Sequence, residues 1–135
     1  MKRRLLAIDL GDRRTGVAVG DEDSGTAMPL EVLQIPRGAD LQRELLALIE
    51  AHQPDAVIVG LPLNMDDTEG PRAKDARAFA AELARDCGRT VHVHDERLTS
   101  FEAQDRMRGT SRREKKMRSD AVAACVLLES FFATQ

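Results

Sequence analysis

Aromatic side chains are scarce in this chain: they make up 3% of its 135 residues, and Trp and Tyr are absent. Proteins that read single-stranded nucleic acid commonly stack its bases on aromatic rings. That mode of recognition is poorly supplied here, so any binding of nucleic acid would depend on its backbone and shape. Cysteine is scarce too, because Cys87 and Cys125 lie far apart with no CxxC spacing. We expect both to be free thiols in the core and expect no zinc site.

Long apolar runs are also missing. No stretch approaches the roughly 20 apolar residues of a membrane-spanning helix. Near the N-terminus, Asp9 interrupts the apolar run after four residues, well short of the roughly 7–15 of a secretory signal. We therefore expect a cytoplasmic protein with no membrane partner. The length and the hydrophobic fraction of 42% fit one domain over residues 1–135.

The formal net charge is −3, which by itself suggests no nucleic-acid partner, but the charge is unevenly distributed. The segment 97–118 contains eight basic and three acidic residues, a net charge of +5, so the rest of the chain carries −8. Such asymmetry can direct a polyanion to one face of a protein. A solvated helix surface would also account for the run. Its basic residues are Arg97, Arg106, Arg108, Arg112, Arg113, Lys115, Lys116 and Arg118.

Hydrophobic periodicity predicts the element order β-β-β-α-β-α-β-α-α. Three strands close in sequence, followed by strands separated by helices, indicate an α/β fold with a mixed five-stranded sheet. Three antiparallel strands precede the parallel ones, and helices cover both faces. The predicted strands span residues 5–10, 15–20, 30–35, 56–59 and 91–95, and the predicted helices span 41–52, 71–87, 99–109 and 119–132, with a mobile loop expected around 109–111.

Acidic residues stand at unusual places in three of these elements. Asp9 ends a buried strand, where a carboxylate is costly unless a cation or hydrogen bonds compensate; closing the Gly11 turn is the structural alternative. Asp95 and Glu96 end the fifth strand, and alternation allows only one of them to face Asp9, without saying which. Asp120 lies on the apolar stripe of the last helix, although a first-turn acid can also serve as a cap.

Clustered carboxylates without His or Cys partners suit Mg²⁺ or Mn²⁺. Two such ions about 3.5–4 Å apart can hold the attacking and leaving oxygens of a displacement at phosphorus. A basic segment beside such a centre is what hydrolysis of phosphodiester bonds requires. The residues therefore predict a metal-dependent nuclease acting on nucleic acid.

Four motifs in the chain also resemble those of the bacterial YqgF family, in order and spacing. They are Ile8–Val19, Gly60–Met65, Asp95–Ser100 and Ser119–Ala124. The resemblance implies an RNase H-like fold and places the metal-binding, catalytic acids on Asp9, Glu96 and Asp120. Members are described both as Holliday junction resolvases and as nucleases maturing the 5′ end of pre-16S rRNA. We predict that the substrate is bound by Arg13, Asn64, Arg97, Arg112, Arg113, Lys115 and Lys116.

Alternatives to this nuclease remain open. Asp9-Leu10-Gly11 followed by a hairpin also resembles the first phosphate loop of actin-like ATPases, although those proteins need two such domains. A nucleic-acid or ribosome-associated binding factor without catalysis is a third reading. The resemblance favours structured RNA as the substrate over branched DNA, and cleavage of a four-way junction would favour a homodimer.

Overall fold

The computed structural model describes residues 3–64, 66, 68–96 and 112–134, and of residues 112–120 it describes the backbone alone. The predicted helix over 99–109 lies outside this part. Five strands and three helices are present within it. In chain order they are β1 (Arg4–Asp9), β2 (Thr15–Asp21), β3 (Thr26–Leu33), α1 (Ala39–His52), β4 (Ala56–Leu61), α2 (Pro71–Cys87), β5 (Thr90–Asp95) and α3 (Arg112–Ala133).

The five strands form one sheet in the order β3-β2-β1-β4-β5. β1 pairs antiparallel with β2, and β2 pairs antiparallel with β3. β4 pairs parallel with both β1 and β5, because α1 and α2 return the chain across the sheet before each of the last two strands. The predicted mixed sheet is confirmed.

Side chains of β1 alternate between the two faces of the sheet, as strand geometry requires. Leu6 and Ile8 pack with α1 and α2, whereas Leu5 and Ala7 pack against α3. Each fully buried Leu or Ile contributes about 1.5–3 kcal/mol. Helices therefore cover both faces, as predicted. The helical residues of the first core are Leu41, Leu45, Ile49, Phe79, Ala80 and Leu83, and those of the second are Leu127, Leu128 and Phe131.

Two predicted boundaries are wrong. β3 begins at Thr26 rather than Leu30, directly after the turn at Gly25, and it accommodates Pro29 because it is an edge strand with a register shift there. The last helix begins at Arg112 rather than Ser119. Residues 112–118 are Arg, Arg, Glu, Lys, Lys, Met and Arg, all strong helix formers, so the run continues the helix rather than a loop.

The carboxyl ends of β1, β4 and β5 meet at one edge of the sheet, because these strands are parallel. Asp9, Leu61 and Asp95 are their last residues. This edge is where binding sites of open α/β sheets form. Within the described ranges, no helix is long and apolar enough to cross a membrane.

Candidate active site at the carboxyl edge of the sheet

The structure brings Asp9 and Glu96 together, although 87 positions separate them in the sequence numbering. Both side chains are partly buried, and they are joined by a hydrogen bond. His92 and His94 of β5 contact Phe131 of α3, so strand alternation places Glu96 on the α3 side of the sheet and Asp95 on the other. Asp9 shares that side with Leu5 and Ala7. The pairing of Asp9 with Glu96 is therefore a consequence of strand parity.

Gly60 provides the space for the Glu96 carboxylate. β4 is buried along its whole length, and a Cβ at Gly60 would collide with Oε2 of Glu96 and lie 3.3 Å from Cδ2 of Leu127. The Glu96 backbone N–H donates to the Leu61 carbonyl at 3.3 Å, which fixes the chain just beyond β5. A larger residue at position 60 would push the carboxylate away from Asp9.

Burial raises the pKa of the Glu96 carboxyl above its ordinary value, and the neighbouring Asp95 charge acts in the same direction. The hydrogen bond with Asp9 and the nearby Arg72 guanidinium oppose this rise. Two carboxyl groups in contact cannot both stay ionised cheaply, so they share a proton or a cation. The pair is thus built to take up positive charge.

Carboxylate oxygens are hard ligands, so Asp9 and Glu96 fit Mg²⁺ or Mn²⁺. Asp120, the third predicted ligand, lies on α3 one turn before the buried Ala124, but its side chain is outside the described residues. Among the side chains that are described, no group of three His, Cys, Asp or Glu residues is placed to hold a metal ion. The described pair supplies two ligands of the predicted three.

A small cleft of about 40 Å³ opens beside Glu96 and contains charged residues that the sequence patterns did not single out. Arg72 donates to Asp12 at 3.1 Å, and Arg37 forms an ion pair with Asp75 at 2.7 Å. Both arginines line the cleft with Glu96. One available signal was position, because residues 12 and 72 lie in the segments that follow β1 and β4 at this edge.

The other predicted substrate contacts are distributed around this edge. Arg13 is exposed and lines a groove with Arg14, Gln34 and Pro36. The Asn64 amide donates to the Thr68 hydroxyl at 3.0 Å, so it also holds its own loop in shape. Arg97 lies outside the described residues. Of four further basic residues the backbone lies in α3 and the side chains are not described: Arg112, Arg113, Lys115 and Lys116.

Residues 3–134, nearly the whole chain, match a family model described as "RuvX: Holliday junction resolvase". The chain belongs to the RuvX family. This confirms the resemblance to YqgF proteins seen in the four motifs. Within that family the acidic pair at the sheet edge is the structural feature most suited to chemistry on a phosphodiester.

Curated relatives of this RuvX-family chain are similar over almost their whole length. It is 47% identical over 131 residues to a protein of Anaeromyxobacter sp., with 95% of each chain covered. It is 42% identical over 134 residues to a protein of Salmonella paratyphi B, covering 98% of this chain and 97% of the other. Both relatives are named "Putative pre-16S rRNA nuclease".

Solved structures show the same architecture at low sequence identity. RuvC of T. thermophilus in complex with a Holliday junction substrate superposes with a TM-score of 0.61 at 14% identity, covering 98% of this chain and 94% of that one. The fowlpox virus Holliday junction resolvase gives 0.60 at 15% identity, covering 98% and 99%. The likeness concerns the fold, and it confirms the predicted RNase H-like sheet.

Proposed function

We propose that this protein is a metal-dependent nuclease that hydrolyses phosphodiester bonds in structured nucleic acid and processes the 5′ end of pre-16S rRNA. The observation that carries the proposal is the contact between Asp9 and Glu96 at the carboxyl edge of the sheet. Membership of the RuvX family favours a nuclease over the actin-like ATPase alternative. Bacterial rRNA precursors are cytoplasmic substrates, so the proposal includes the predicted cytoplasmic location.

In this proposal Asp9, Glu96 and Asp120 hold Mg²⁺ or Mn²⁺. When bound, the metal would neutralise the carboxylates and stabilise negative charge on the phosphate oxygens that enter and leave. The residues of the chain prepare this site. Gly60 lets the Glu96 carboxylate approach Asp9, and burial keeps that carboxylate away from bulk water. The oxygen donors are thus held close together before the substrate arrives, which reduces the reorganisation needed during the reaction.

The choice of RNA as substrate is supported by the names of relatives that are 42–47% identical along nearly the whole chain. Holliday junction resolution is the second candidate, favoured by the family description and by the fold shared with two junction resolvases. A homodimer would suit that second substrate, because a four-way junction has two equivalent strands to cut.

Cleavage mapping on both substrates tests the proposal. A pre-16S rRNA fragment and a four-way DNA junction are incubated in parallel with the protein in Mn²⁺, in Mg²⁺ and in EDTA. We expect metal-dependent cleavage of the RNA at or near the mature 5′ end. Preferential, symmetric cleavage of the junction would support the second candidate. Full cleavage in EDTA would contradict the metal dependence.

Matched variants show whether cleavage belongs to this protein. Asp9→Asn should abolish it, and Asp23→Asn should leave it unchanged, because Asp23 lies in the exposed turn between β2 and β3 at the opposite edge of the sheet. Both variants remove one negative charge. Binding of either substrate without cleavage under any metal condition would instead support the non-catalytic binding factor.

A further inference from the structure

Arg72 occupies a position beside the carboxylate pair that local stability does not explain. It lies in the first turn of α2 and lines the cleft with Glu96 and Gly60. Its guanidinium is close enough to Glu96 to lower the pKa of that carboxyl. The side chains of Arg72 and its partner Asp12 are 79% and 77% exposed. Ion pairs this exposed contribute about 0–1 kcal/mol, so the fold has little need of this one.

The neighbouring pair is different in kind. Arg37 is 27% exposed, reaches Asp75 at 2.7 Å and lies 5.4 Å over the ring of Phe79. These contacts hold the Arg37 side chain from two sides, which suits a fixed wall of the cleft. Arg72, by contrast, has an exposed and easily exchanged partner. Of the two arginines, Arg72 is the one free to take another anion at little cost.

The cleft continues into the groove that Arg13 and Arg14 line, since Asp12 lies on both. The backbone N–H of Arg37 donates to the Asp12 carbonyl at 3.4 Å, which ties the two walls together. A polyanion in this groove passes the exposed Arg13 and reaches Arg72 next to Glu96. Acidic side chains at the cleft would otherwise repel it, so a cation is needed at this point.

We propose that Arg72 binds a phosphate of the nucleic-acid substrate beside the Asp9–Glu96 pair, and that Asp12 holds the guanidinium until the phosphate replaces it. This inference rests on the proposed nuclease function. A guanidinium binds phosphate through two parallel hydrogen bonds and makes the same contacts with carboxylate, so the exchange keeps its geometry.

Binding measurements test the role of Arg72 separately from cleavage. Fluorescence anisotropy is recorded with a labelled four-way DNA junction and a labelled pre-16S rRNA fragment, with Ca²⁺ in place of Mg²⁺ or Mn²⁺. Arg72→Ala should weaken binding about tenfold or more, as expected for a lost charge-assisted contact. The slope of log K against log salt should shrink by roughly 0.7–0.9, the value for one phosphate contact.

Arg77→Ala is the matched control. Arg77 lies on the same helix and is paired with Glu69 at 2.5 Å, and its loss removes the same single charge. It does not line the cleft, so its effect should be clearly smaller. Arg72→Lys keeps the charge without the two-pronged contact and should fall between Arg72→Ala and the wild type. Equal affinities and slopes for Arg72→Ala and Arg77→Ala would overturn the inference.

The role of Asp12 is tested by a double-mutant cycle. Asp12→Asn should strengthen binding, because the phosphate no longer competes with a carboxylate, and the gain should disappear when Arg72→Ala is also present. A gain that persists in the double variant would be a general charge effect and would refute the exchange. A wild type that binds without cleaving would refute the proposed function while leaving the Arg72 comparison readable. Absence of binding to both probes would refute both.

Discussion

Replacing Gly60 with Ala perturbs the candidate site by a single methyl group. The added Cβ would collide with Oε2 of Glu96 and lie 3.3 Å from Cδ2 of Leu127. The backbone at Gly60 is not in the left-handed region, so alanine itself introduces no strain there. The carboxylate is the end of a flexible side chain, whereas Leu127 is packed in the core. We expect the Glu96 carboxylate to move and Leu127 to adjust slightly.

The magnitudes separate activity from stability. Forcing Glu96 off its preferred rotamer costs about 0.5–1.5 kcal/mol. Reducing the freedom of the unfolded chain by Gly→Ala contributes about 0.4–1 kcal/mol in the opposite direction. The net change in the free energy of unfolding should therefore stay within about 1 kcal/mol. A ligand displaced by about 1 Å can cost roughly 10²-fold in rate, so cleavage should fall by that order.

The assay combines cleavage rates in Mn²⁺ with chemical denaturation in EDTA. Gly70→Ala is the control, because its Cβ would meet only the side chain of Asn64, at 3.3 Å and beyond, and would leave Glu96 in place. In a Glu96→Ala background the collision disappears, and Gly60→Ala should become neutral or stabilising by about 0.4–1 kcal/mol. A wild-type cleavage rate for Gly60→Ala would show that the Glu96 carboxylate is not over Gly60.

Three further predictions concern the carboxylates and the basic segment. Burial raises the pKa of folded Glu96, so the folded state binds more protons than the unfolded state and loses stability as pH rises above about 4.5. In EDTA, Glu96→Gln should therefore raise Tm at neutral pH, with the gain fading below pH 4.5; a gain independent of pH would contradict this cause. Asp9→Asn should leave or raise Tm in EDTA, and a large loss would favour the turn-closing role. Binding to RNA and DNA should weaken, with a salt slope smaller by up to roughly 0.7–0.9 per lost contact, in the variant Arg112→Ala/Arg113→Ala/Lys115→Ala/Lys116→Ala. Unchanged slopes would mean a solvated surface.

Much of the fold was predictable because its strands are short apolar runs that end at glycine or acidic residues. Ile8-Asp9 and Val59-Gly60 mark such ends, and the interior of the sheet leaves few other states for those runs. The boundaries of β3 and α3 were not predictable in the same way. Pro29 is tolerated because β3 lies at the sheet edge, and strong helix propensity extends α3 through the charged run to Arg112.

The site was partly visible in the sequence. Acids at strand ends are local features, and they indicated a carboxylate centre without any knowledge of strand order. The pattern could not choose between Asp95 and Glu96, and that choice came from the resemblance to YqgF proteins. In the structure, strand parity places Glu96 beside Asp9, because His92 and His94 face α3.

The sequence by itself determined the element types, the carboxylates at the strand ends and the charge asymmetry, because these depend on residues close together in the chain. Tertiary structure alone decided that Gly60 makes room for Glu96 and that Arg72 meets Asp12 across 60 positions. Those contacts depend on which strands are neighbours and on how α2 packs against the sheet. Hydrophobic periodicity sets which face of an element is buried, but it does not set which distant side chain lies opposite.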